Sequence, residues 1–224
     1  MKKPLTAAVA ALLVSVPALA DPAVKGWKTA DSQGCLILRE CTDKVVRITS
    51  TEQVEEILEY QNYHLVKEEA NEIIAELEKM GVGVYLADDQ YFLRGTAGVY
   101  TTTGNNIFLN ESYVDDPYQY LETLRHEAWH AAQDAFAGEI DNNQIAIIYP
   151  EESVPRHIAI AANLAYGENN PGLPWEREGK WAGYTPYMTV EVLQIINRTD
   201  NKPWTEIEPT PLTREWLVRN GHIR

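Results

Sequence analysis

The amino-acid sequence predicts an α+β fold, a small mixed sheet with an edge hairpin packed against long helices in one domain. Three observations carry that expectation. Apolar residues recur at helical spacing through residues 51–80 and again from Pro117 to about Ala135. Between them, short runs rich in strand-forming residues at 82–87, 98–102 and 107–110 are bounded by turn formers. The 224 residues contain no internal repeat or low-complexity block and suffice for one proper core.

The N-terminus reads as a leader. Met1-Lys2-Lys3 precedes an apolar run over residues 5–16, and Pro17-Ala18-Leu19-Ala20 supplies a small-residue cleavage site. The apolar run falls short of the ~20 residues needed to span a bilayer, so residues 1–20 are expected to be removed without leaving a membrane anchor. Residues 21–224 then form the single domain of an exported protein, secreted or periplasmic. In that compartment Cys35 and Cys41, the only cysteines, are expected to form one short-loop disulfide within an N-terminal segment at 21–50.

Residues 51–80 are rich in helix formers, with Ala70, Ile73, Ile74 and Leu77 as the buried stripe and Gly81 as the stop, in one long helix or two abutting ones. Glu68, Glu69, Glu72 and Glu76 are expected on the solvated face. The strand-like runs follow, the last two separated by Thr103-Gly104-Asn105-Asn106 and so read as a hairpin. Asp116 offers an N-cap and Pro117 a first helical residue for the next helix, whose stripe is Leu121, Leu124, Ala128, Ala132 and Ala135. Pro155 is expected to open a helix ended by Gly167, Pro174 another through Trp181, and residues 189–197 a third. The Pro-rich stretch 201–211 is expected to run extended over the surface.

The helix beginning at Pro117 carries the chemistry. His126-Glu127-Ala128-Trp129-His130 places two imidazoles four residues apart, about 40° around the helix axis and one turn along it, so both reach one metal ion. Glu127 lies about 100° from His126, where its carboxylate meets a metal-bound water rather than the metal. A zinc ion with three protein ligands leaves a position for water and lowers the pKa of that water towards ~7.

This segment resembles the signature of the zincin metallopeptidases, and the resemblance implies Zn2+ as cofactor, His126 and His130 as ligands and Glu127 as general base. It also implies an edge strand beside the cleft that pairs with an extended peptide. Metzincins place Gly and His where this chain has Gln133 and Phe136, which excludes that branch. Gluzincins take a glutamate from a second helix, often with small residues three and seven positions later. Glu176, Gly179 and Gly183 match that spacing, making Glu176 the favoured third ligand. Glu178, His157, Glu151 and Glu152 are the alternatives, and His157, Tyr184 and Tyr187 are candidate donors to a developing oxyanion.

The formal net charge of −14 makes nucleic acid an unsuitable partner, because binding its backbone needs a basic footprint. A peptide or protein substrate is expected, with oligomeric state left open. Two other functions share the same residues: a secreted binding protein whose zinc is structural or vestigial, and a zinc amidase acting on cell-wall peptides.

Overall fold

The computed structural model describes residues 34–36, 43–59, 62–140 and 143–224. The expected leader and Cys41, half of the expected disulfide, lie outside the described residues. No described helix is long and apolar enough to cross a membrane.

The architecture is α+β, with seven helices of eight residues or more among the described residues and a four-stranded mixed sheet. Strand β1 is Val45–Ile48, β2 Gly83–Ala87, β3 Gly98–Thr101 and β4 Asn106–Asn110. Their spatial order is β1-β2-β4-β3, with β2 and β4 parallel and the outer strands antiparallel to their neighbours. Among the helices, α1 is Thr51–Leu58, α2 Lys67–Lys79, α3 Pro117–Phe136, α4 Arg156–Tyr166, α5 Leu173–Tyr184, α6 Met188–Arg198 and α7 Pro211–Arg219.

Alternation along the strands decides which face meets the helices. Val84, Leu86, Ile107 and Leu109 point into the main core with Ile73, Ile74 and Leu77 of α2 and Leu124, Ala128 and Trp129 of α3. Ala87, Phe92 and Phe108 join Leu36 in a smaller cluster on the opposite face. The hairpin forms as expected, with Asn105 in the left-handed region at φ 50° closing the turn. The sheet edge beside the helices is the first hairpin strand, β3. Strand β4, nearer to α3 in sequence, is interior and buried along its length.

Residues 51–80 form two helices, not one. Helix α1 ends at Glu59 in the left-handed region at φ 53°, and Asn62 at φ 89° starts a separate 3-10 turn before α2. Two of the four acids expected on the solvated face are buried. Glu69 pairs with Arg125, and Glu76 accepts from Asn197 Nδ2 at 2.6 Å and pairs with Lys79 at 2.7 Å. Periodicity marks an acid as polar but does not report a partner arriving from a distant helix.

Asp116 caps α3, accepting from the amides of Tyr118 and Gln119 at 2.9 Å, and Pro117 sits at its first position. Helix α4 ends at Gly167 with φ 84°, while α5 begins one residue before Pro174 and continues to Tyr184, a turn beyond expectation. The expected extended tail holds a 3-10 turn at Pro203–Thr205 and is followed by α7, a further correction. Thr210 caps α7 by accepting from the Thr213 amide at 3.3 Å, Leu217 is fully buried, and Trp216 Nε1 donates to Ala137 O at 2.8 Å. The last of these bonds ties α7 to the residue that follows α3.

Candidate metal centre

Helices α3 and α5 cross close together, and small residues on α5 set the distance. A Cβ at Gly179 would stand 2.9 Å from His126 Cε1, 3.1 Å from His126 Nδ1 and 3.2 Å from His130 Cε1. A Cβ at Gly183 would stand 3.2 Å from the Glu122 carbonyl oxygen. The missing side chains are therefore the space in which the imidazoles sit, and Glu176, three residues before Gly179, is carried onto the same pair.

His126, His130 and Glu176 form the one group among the described residues with metal-ligand composition and spacing. The two Nε2 atoms are 3.1 Å apart, and Glu176 Oε2 lies 3.2 Å from that of His126 and 3.7 Å from that of His130. Tetrahedral ligands at about 2.0–2.2 Å from one ion stand about 3.3–3.6 Å apart, so the triangle fits a zinc-sized cation. Glu176 Oε2 is buried and turned towards the two imidazole nitrogens, as a ligand atom facing a shared cation would be. The group can hold a metal ion, and its chemistry of two imidazoles and one carboxylate suits zinc among several divalent ions.

Charge within the group is strongly coupled. Burial raises the Glu176 carboxyl, but the imidazoles of His130 and His126 outweigh it and hold the pKa far below the usual range. Burial likewise opposes the His130 imidazolium, yet the carboxylates of Glu176 and Glu127 prevail and push its pKa up to about 9. A metal binding here displaces that proton.

Glu127 is 7% exposed and sits beneath the edge strand. A Cβ at Gly98 of β3 would come within 2.8 Å of Glu127 Cγ and 2.8 Å of Thr123 Cγ2, so the strand passes over the carboxylate as closely as backbone allows. The same strand is pinned further along, where Tyr100 Oη donates to Asp134 Oδ2 at 2.8 Å. Burial raises the Glu127 pKa, opposed by the charges of His126 and His130 and by the Tyr100 backbone amide. A carboxyl lifted towards neutrality is suited to taking up and returning a proton.

The alternatives for third ligand are placed elsewhere. Glu178 is buried against α3 and the 148–149 segment, where it accepts from Gln133 Nε2 at 2.8 Å, Ile148 N at 3.1 Å, Tyr149 N at 2.5 Å and Trp129 Nε1 at 3.4 Å. His157 is exposed on α4, and Glu151 and Glu152 are exposed on a 3-10 turn, with Glu151 paired to Arg177. Tyr184 is half exposed, with Lys180 Nζ 5.0 Å from its ring centroid, and Tyr187 is exposed at the start of α6.

Three features of the site had no strong sequence signal. Tyr166, the last residue of α4, stands with its ring nearly parallel to that of His126 at 6.5 Å. Burial first, then the Glu176 and Glu127 carboxylates, raise its phenol well above the ordinary range. Arg125, adjacent to His126, donates to both carboxylate oxygens of Glu69 and to Gly183 O at 3.2 Å, locking α3 against α2 and the end of α5. Gln133 receives His130 Nδ1 at 2.8 Å; its one signal was a polar residue on the face of α3 that also bears His130.

No protein-family model matches the chain, no curated protein matches it, and no solved structure matches it.

Proposed function

We propose that the chain is an exported zincin-like metallopeptidase that hydrolyses peptide bonds, with zinc on His126, His130 and Glu176 and Glu127 as general base. The observation that carries this is the triangle of ligand atoms with a raised, buried carboxylate beside it. A zinc ion held there supplies Lewis acidity towards a carbonyl oxygen and lowers the pKa of water. Glu127 accepts the proton that water gives up on attacking the peptide carbon, and returns it to the departing amine. Among the described residues no strand pairs with the outer edge of β3, which favours an extended peptide laid alongside it by backbone hydrogen bonds. Tyr166 supplies the phenol beside Glu176 best placed to donate to a developing oxyanion.

A structural zinc site is closed by four protein ligands, whereas the group found among the described residues has three, which favours catalysis over a purely structural ion. The test is purified protein titrated with zinc beside Glu127→Gln, His126→Ala and Glu176→Ala. One zinc per chain is expected in the parent and in Glu127→Gln, with weakened binding in the other two. Cleavage of a peptide library by the parent is expected to fall by at least 100-fold in Glu127→Gln. An undiminished rate in that variant refutes the role of Glu127, and a parent that takes up no zinc refutes the metal centre.

A further inference from the structure

We infer that Gln133 and Glu178 form a positioning relay that selects the tautomer of His130 and aims its Nε2 lone pair at the metal position; this rests on the metal-centre assignment above.

The polarity of the relay follows from its far end. Gln133 is fully buried, and its Nε2 lies 2.8 Å from Glu178 Oε2 and 3.3 Å from the Trp175 carbonyl oxygen. Both of these only accept, so the amide nitrogen must face them and the amide oxygen must face His130 Nδ1, 2.8 Å away. His130 Nδ1 therefore carries a hydrogen. The nitrogen that a metal would deprotonate and bind is then Nε2, on the side where His126 Nε2 and Glu176 Oε2 stand.

Glu178 holds the amide in that sense. It is 1% exposed and receives four donors, two from side chains and the backbone amides of Ile148 and Tyr149. Both of its oxygens face N–H groups that can only donate, so towards Gln133 Nε2 Glu178 acts as an acceptor. Placing an amide rather than the carboxylate next to the imidazole has a chemical consequence. A carboxamide transmits hydrogen-bond polarity but does not take a proton at neutral pH, so the Nδ1 hydrogen stays on His130 rather than passing to its partner. Helix α5 thus acts twice, presenting Glu176 to the ion and, two residues later, Glu178 to the residue that orients His130. Gln133 and Glu178 touch no metal and are positioning residues.

The zinc-loaded parent is examined first by 15N-1H spectra of its imidazoles. A protonated Nδ1 and a metal-bound Nε2 at His130 are expected, and a His130 bound through Nδ1 overturns the relay. Zinc competition titrations then compare the parent with Gln133→Leu and with the double variant Gln133→Glu, Glu178→Gln, which exchanges amide and carboxylate at constant charge. Gln133→Leu is expected to bind zinc about 10–100-fold more weakly, and the exchange variant to recover at least part of the loss. A folded Gln133→Leu protein with parental affinity overturns the relay. A parent that binds no zinc instead overturns the metal centre itself. If Gln133→Leu does not fold, the exchange variant and the parental spectra decide.

Discussion

Replacing Gly179 by alanine tests whether the approach of α5 to α3 sets the metal centre. The new Cβ would meet His126 Cε1 at 2.9 Å, His126 Nδ1 at 3.1 Å and His130 Cε1 at 3.2 Å. Ordinary contacts between such atoms lie at about 3.5–4.0 Å, so relief requires a shift of roughly 0.5–1 Å. The rings have little room to yield, since His130 is tied to Gln133 at 2.8 Å and His126 stacks near Tyr166. Helix α5 must therefore move away and take Glu176 with it, against a tolerance of about 0.2 Å for metal-ligand distances. Overpacking of this kind costs about 1–3 kcal/mol, a fall in melting temperature of roughly 2–12 °C at this chain length. Zinc affinity, read by competition with a chromophoric chelator, is expected to drop by at least about tenfold. Gly183→Ala, whose nearest contact is 3.2 Å to a backbone oxygen and next 3.4 Å to a flexible side chain, should lie between that variant and the parent. Parental zinc affinity in a folded Gly179→Ala protein would show that the inter-helix gap does not control the site.

Gly98→Ala should separate metal from chemistry: its Cβ meets Glu127 Cγ and Thr123 Cγ2 at 2.8 Å, and its three nearest contacts include no metal ligand, so zinc should stay while peptide cleavage falls about 100-fold. Equal loss of both would place the strand in metal binding instead. Glu69→Gln leaves Arg125 buried without its counter-charge, and the expected cost of about 3–5 kcal/mol is a melting temperature lower by at least about 6 °C; a change under about 2 °C would count against the pair. The pH dependence of metal-stripped protein follows from His130, whose pKa is pushed up to about 9 from an unfolded value of 6.5. Stability from this group is complete below about pH 6.5 and is lost as pH rises through about 9. The melting temperature of chelator-treated protein should therefore decline across that window and zinc should reverse the decline, whereas a flat profile would remove His130 from the coupling.

What the sequence disclosed divides by the range of the interaction. Helix α3 was legible in detail because its cap at Asp116, its proline at 117 and its apolar stripe are all local signals, and the His pair is a local signal too. The hairpin was legible for the same reason. Glu176 was reachable only by analogy of spacing, since nothing local distinguishes it from Glu178 two residues on; the two differ in which residues of α3 they meet, the His pair for Glu176 and Trp129 and Gln133 for Glu178, which is a packing outcome. Burial of Glu69 depends on Arg125, 56 positions later, and Tyr166 reaches the site only because α4 packs on α5. Helix α7 escaped notice because its prolines at 209 and 211 read as an extended tail, whereas the second of them is the first residue of a capped helix.

The ligand set also has a mechanical meaning. His126 and His130 are in place as soon as one helix winds, but Glu176 joins them only after some 46 further residues, among them all of α4, have found their position. An ion gripping all three is a removable cross-link across that loop. On the chain-entropy scale, closing a loop of this length is worth about 4 kcal/mol. The same ion that would activate water also staples the second half of the chain to the first, so removing it should loosen α4 and α5 while α3 stays wound on its own cap and core.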